Sequence, residues 1–166
     1  MIGSSRGYRG YLKRIGWLGL LLGLALGLWG CAVPESNEAL LELNDNSSFS
    51  GLKLGMTATD MQEKLGEPDG ENPISSGREY SYWGLDLSVC VNEEELIWRL
   101  TSKNEDFKVF DIAVGDKLAE AAGVLEDKGY ARDAAGGWRF NNNEVQVILL
   151  TIDGESIVGF SAEWLS

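Results

Sequence analysis

Residues about sixty positions apart correspond along most of the chain beyond Gly51, and this register limits the possible folds more than any other feature. Leu54-Gly55 answers Val114-Gly115, and Leu65 answers Leu125. Tyr80-Ser81-Tyr82 matches Trp138-Arg139-Phe140, and Ile97-x-x-Leu100 matches Ile157-x-x-Phe160. Between them the alternation Leu85-x-Leu87-x-Val89 matches Val145-x-Val147-x-Leu149. The expectation is two tandem copies of one small unit, 51–106 and 107–166, joined near Phe107 to Asp111.

Each copy reads as a short helix followed by a three-stranded antiparallel meander, an α+β arrangement in which the helix needs a sheet to lie on. In the first copy Thr57, with Asp60 three residues on, has the form of a capping box. Ala58, Met61 and Leu65 share a helical face there, and Gly66 with Pro68 stops the helix. In the second, Asp116 is the candidate cap, Leu118, Ala121, Ala122 and Leu125 make the buried face, and Gly129 ends it. The expected strands are Arg78 to Trp83, Leu85 to Val91 and Leu96 to Ser102, then Gly137 to Asn141, Glu144 to Ile152 and Ser156 to Trp164. Asn92 to Glu95 and the pair Asp153-Gly154 are the matching hairpin turns. The helices are expected on one face of a shared sheet.

The series Leu54-Gly55-Met56-Thr57, Leu65-Gly66-Glu67-Pro68 and Tyr80-Ser81-Tyr82 resembles the small SmpA/OmlA-like lipoproteins related to the outer-membrane-assembly accessory subunit. More broadly it resembles the tandem repeats of β-lactamase-inhibitor-protein-like folds. The resemblance covers Gly51 to about Ser102 well and the second half as a degenerate copy, in which Gly115-Asp116 replaces Gly-Met-Thr. It implies a non-enzymatic module that binds another protein across its sheet or loops.

The N-terminal part reads as an address. Arg6, Arg9, Lys13 and Arg14 precede an apolar run from Ile15 to Trp29, which falls short of the roughly 20 apolar residues of a membrane span. A retained anchor helix is the alternative to a signal-peptide core, and Gly16, Gly19, Gly23 and Gly27 include GxxxG spacings. Leu28-Trp29-Gly30-Cys31 resembles the bacterial lipobox. That resemblance implies cleavage between Gly30 and Cys31, diacylglycerol on the Cys31 sulfur, and palmitate-type acylation of the new amino group. The signal peptide would be 1–30. In an envelope that has an outer membrane, Ala32 after Cys31 favours sorting to it by the same analogy. Residues 31–50, acidic and polar, are then expected to form a flexible tether, within which Ala39 to Leu43 could make one helical turn or a short strand.

Charge narrows the partners. The formal net charge of −12 becomes about −16 once the four leading cations are removed, and no Lys/Arg cluster follows Cys31. A surface of that kind repels phosphate, so no nucleic-acid partner is expected. With Cys31 taken by lipid, Cys90 is left alone as an apolar strand residue and no disulfide is expected. The chain has no histidine, which removes the commonest general base and zinc ligand. No cofactor and no metal site are expected.

Three local patterns touch on catalysis and none is complete. Ser50-Gly51-Leu52-Lys53 has the Ser-x-x-Lys spacing without its partner motifs, and Gly154 to Gly159 is a nucleophile-elbow spacing one position too long. The acidic groups Glu93-Glu94-Glu95 and Glu105-Asp106 fall on a turn and a connection, where solvated surface is the simpler account than a glycosidase pair.

The aromatic residues of the strands are the candidate partner-binding set: Tyr80, Tyr82, Trp83, Trp98, Trp138 and Trp164. Alternation puts Tyr80 with Tyr82, and Trp138 with Phe140, on common faces, where they either fill a core or line a concave binding surface. The apolar residues on both sides of Val145 to Ile152 predict that both faces of that strand are covered. The chain is therefore expected to be a lipid-anchored envelope protein acting as a binding or scaffold module, with polysaccharide binding or a carboxylate-dependent hydrolase as the alternatives.

Overall fold

The computed structural model describes residues 37–165, so the expected signal peptide, the cleavage at Gly30 and Cys31 and the acylation of Cys31 lie outside the described residues. The described chain is α+β, with three helices and antiparallel sheets. In chain order the elements are α1 (Glu38–Asp45), β1 (Ser47–Ser48), α2 (Ala58–Leu65), β2 (Gly70–Ile74), β3 (Gly77–Tyr82), β4 (Leu87–Val91) and β5 (Ile97–Ser102). There follow β6 (Lys108–Val109), β7 (Ile112–Ala113), α3 (Leu118–Asp127), β8 (Ala131–Arg132), β9 (Arg139–Asn142), β10 (Val145–Leu150) and β11 (Gly159–Trp164). Among the described residues no helix is long and apolar enough to cross a membrane.

Eight strands form one antiparallel sheet in the order β2-β3-β4-β5-β11-β10-β9-β8. The expected three-stranded meanders are each one strand short: β2 pairs with β3 and β8 with β9 along the two outer edges. At the centre β5 pairs with β11, Thr101 facing Ser161 and Leu100 facing Ala162. Strand alternation then sorts the residues. Tyr80, Tyr82, Leu87, Val89, Leu100, Phe140, Val147, Leu149, Phe160 and Ala162 lie on one face and join a single core with Met61 of α2 and Leu118, Ala121 and Leu125 of α3. The other face carries Glu79, Ser88, Cys90, Arg99, Thr101, Gln146, Ile148, Ser161 and Glu163.

Helix α2 begins and ends where the sequence says. Thr57 Oγ1 accepts from the Asp60 N–H at 3.1 Å, and Gly66, at φ 83°, closes α2. The cap of α3 differs from expectation. Asp116 accepts from the Ala113 N–H at 2.8 Å, and Lys117 precedes the helix without a side-chain cap bond. The Asp153-Gly154 reversal is also looser than a two-residue hairpin, because β10 stops at Leu150 and β11 starts at Gly159. The intervening chain is diverted to the start of α3: Gly115 N–H donates to Ile157 O at 2.8 Å and Leu118 N–H to Glu155 O at 2.8 Å. Around α2 the same bonds run from Gly55 to Ile97 at 2.7 Å and from Ala58 to Glu95 at 2.8 Å. Ile152 is thereby left outside β10 and 87% exposed, and Ile148 and Leu150 are half-buried, so the second face of that strand is not fully covered.

Residues 37–50 correct the expectation of a flexible tether. Asn37 caps α1 by accepting from the Leu40 N–H at 3.0 Å, Ala39 and Leu43 are buried, and Phe49 is 1% exposed. The expected joint near Phe107 to Asp111 is a hairpin of β6 and β7 that pairs with β1. Asn44 links α1 to the approach of α2, donating to Leu54 O at 3.0 Å and accepting from the Leu54 N–H at 2.8 Å. Replacing Asn44 by alanine strands both partners in a part-buried site and should cost about 1–3 kcal/mol of unfolding free energy, read from urea denaturation.

Candidate functional site

The aromatic candidates separate into four groups. Tyr80 and Tyr82, 3% and 4% exposed, belong to the core and are corrected out of the partner-binding set. Their shared parity puts them under the helices, and Tyr82 Oη donates to Gly66 O at 3.2 Å, tying β3 to the end of α2. Trp83 leaves the strand in a single 3₁₀ turn, Trp83–Leu85, and is 71% exposed, its N–H held by Asp69 Oδ2 at 2.7 Å. Trp138 packs against the core with the Arg132 guanidinium 4.0 Å above its ring.

Trp98 and Trp164 are the pair that the fold brings together. A β-bulge makes this possible: Cys90 faces Arg99 and Val91 faces Ile97, leaving Trp98 as the extra residue on β5. Trp164 closes β11, the neighbouring strand. With Ser76 of the β2–β3 turn, Asn92 at the end of β4 and Leu165, the two indoles line an open groove of about 380 Å³ at one end of the sheet. Its walls are well held. Asn92 Oδ1 accepts from the N–H groups of Glu94 and Leu96 at 3.1 and 2.9 Å, and Leu165 N–H donates to Glu144 O at 2.6 Å. Glu144 in turn accepts from Asn37 Nδ2 at 2.7 Å. The Nε1 atoms of Trp98 and Trp164 are buried with no acceptor among the described residues.

Behind Trp98 runs a polar row on the helix-free face. Arg99 stacks 4.7 Å from the Trp98 ring centroid and donates to Cys90 Sγ at 3.1 Å. Glu79 accepts from Ser88 Oγ at 2.6 Å, Thr101 and Ser161 hydroxyls meet at 3.0 Å, and Ser161 donates to Glu163 at 3.2 Å. Cys90 is a free and fully buried thiol. Burial pushes its pKa up, against the opposing pull of Arg99. The folded state therefore favours the protonated thiol, a contribution complete below about pH 8.5 and lost as pH rises toward the raised native value. In a Cys31→Ser background, native protein at pH 8 should react with Ellman's reagent at least about tenfold more slowly than guanidinium-unfolded protein.

The remaining patterns stay apart. Lys53 of the Ser-x-x-Lys spacing is ion-paired to Asp45 at 2.9 Å. The Glu93 to Glu95 turn and the Glu105-Asp106 connection flank opposite ends of β5. A strand of that length spans about 20 Å, beyond the roughly 5–9.5 Å of a glycosidase carboxylate pair. Glu93 and Glu94 are exposed, and Glu95 pairs with Arg78 at 3.5 Å.

The sequence marked Trp98 and Trp164 as candidates but carried no sign of their meeting. The bulge that displaces Trp98 has no glycine or proline to announce it, and the groove draws on strand ends and a turn rather than on strand faces.

No protein-family model matches this chain, and no curated protein matches its sequence. Among solved structures it is similar to an extracellular protein containing a SCP domain from Bacillus anthracis str. Ames, with 16% identity and a TM-score of 0.52. The match covers 66% of this chain and 43% of that one, and the likeness is one of fold.

Proposed function

We propose that the chain is a lipid-anchored protein of the bacterial cell envelope, held through Cys31 on the extracytoplasmic side of a membrane, and that it works as a non-enzymatic binding module. The observation that carries the binding role is the groove in which Trp98 and Trp164, from opposite halves of the chain, meet. Aromatic anchors in a preformed recess give contact area at low entropic cost. The anchor rests on the Leu28 to Cys31 tetrapeptide and the preceding apolar run. Acyl chains contribute about 0.8 kcal/mol per buried methylene, enough for stable attachment when two or three are present. Asn37, the first described residue, lies six positions beyond Cys31, a stretch that reaches at most about 20 Å when fully extended. The module would work close to the lipid surface.

The two-copy organisation belongs to the same proposal, and with it the SmpA/OmlA-like resemblance. It is supported by the hydrogen bonds at Gly55 and Ala58 recurring sixty residues on at Gly115 and Leu118, with matching isolated bridges Thr57–Leu96 and Lys117–Ser156.

The test is made in a bacterial host that processes lipoproteins. Cys31→Ser should move the protein from the membrane to the soluble fraction. In-cell crosslinking should recover a partner with wild type and lose it with Trp98→Ala/Trp164→Ala at unchanged thermal stability. Loss of stability with binding intact would return both indoles to a packing role. A reproducible glycan ligand without any protein partner would overturn the module's assignment.

A further inference from the structure

We propose that the Trp98–Trp164 groove takes a lysine- or arginine-bearing segment of the partner protein, an inference that rests on the binding-module reading above and specifies its ligand. Charge decides between occupants. Asn92, which lines the groove, opens the turn that carries the exposed carboxylates Glu93 and Glu94. Glu144, also exposed, holds the lining residue Leu165 through its backbone oxygen.

The nearby cations are already engaged. Arg78 lies 3.5 Å from both Glu71 and Glu95, and Arg99 is held by Cys90 and the Trp98 ring, with Glu163 facing it across the β5–β11 pair. Among the described residues no ion pair involves Glu93 or Glu94, so the turn that leaves the groove at Asn92 carries uncompensated negative charge in a chain of net charge −12. An anionic lipid surface is repelled by such a turn, and a neutral glycan gains nothing from it. A cationic side chain gains from both carboxylates and indoles, whose faces attract ammonium and guanidinium groups. This chain already uses that contact internally, Arg99 on Trp98 and Arg132 on Trp138.

The experiment uses the full lipidated chain in dodecyl maltoside micelles, titrated by tryptophan fluorescence. The probes are a short amidated peptide alternating arginine with leucine, and its counterpart alternating glutamate with leucine. The basic peptide should bind, more weakly as salt is added, and the acidic one should not. E93Q/E94Q should weaken binding by about fivefold or more. E105Q/D106N removes the same charge at the other end of β5 and should stay within about twofold of wild type. Equal weakening by both double variants, or equal binding of both peptides, would overturn the proposal. So would a response to chitotetraose or to phosphatidylcholine–phosphatidylglycerol vesicles with none to the basic peptide. A protein partner that is captured through the tryptophans yet indifferent to E93Q/E94Q would reject the basic segment and leave the binding module standing.

Discussion

Phe49→Ala should lower the unfolding free energy by about 3–5 kcal/mol, a large share of the roughly 5–15 kcal/mol available to a domain of this size. Phe49 is 1% exposed, and its ring lies 5.6 Å from Phe160 of β11, edge-on at 77°, and 5.7 Å from Phe107. Truncation removes a buried ring and leaves a cavity between the N-terminal segment and the central sheet, with little freedom to collapse because Phe160 is fixed in the β5–β11 pair. Leu41→Ala, eight residues earlier and 56% exposed, is the contrast and should stay within about 0.5 kcal/mol. Urea unfolding of both variants reads the difference. A cost below about 1 kcal/mol for Phe49 would mean that residues 37–50 are a spacer after all.

Gly77→Ala should be at least as damaging for a small change, costing about 3 kcal/mol or more. Gly77 holds φ 134°, and a Cβ there would stand 2.0 Å from Val91 O and 2.9 Å from Asn92 C. Both obstacles are backbone, so no side chain can swing away and the β3–β4 ladder itself must part. Ser76 and Asn92 both line the groove, so the substitution should also distort the site. Gly84, with no atom within 4 Å of an added Cβ, should accept alanine within about 0.5 kcal/mol. A melting temperature of Gly77→Ala within a few degrees of wild type would refute the close approach of these strands.

The sequence spoke clearly wherever local chemistry and tertiary context agree. Thr57 and Gly66 delimit α2 because cap and stop act within one turn, and the central strands show because one side of each faces the core. The missed strand β2, Gly-Glu-Asn-Pro-Ile, has no alternation to detect: it is an edge strand with largely exposed residues, and Pro73 is tolerable only in such a place. For α1, eight residues of modest amphipathicity carry too little intrinsic helicity, and the helix exists by docking Ala39 and Leu43, which a polar neighbourhood conceals. Parity correctly paired Tyr80 with Tyr82 and could not say which face the helices cover. The groove depended on a bulge and on strand ends, features that periodicity does not report.

The pairing of β5 with β11 centres on Thr101 and Ser161, whose hydroxyls touch at 3.0 Å, each strand covering the bare side of the other. Severed from the rest, residues 51–106 would present Ile97–Ser102 as a naked ladder of donors and acceptors, answered most directly by another copy turned about residue 101. The connection from Lys103 to Val114 therefore turns what would be a dilution-sensitive homodimer contact into an intramolecular one, assembled at any concentration.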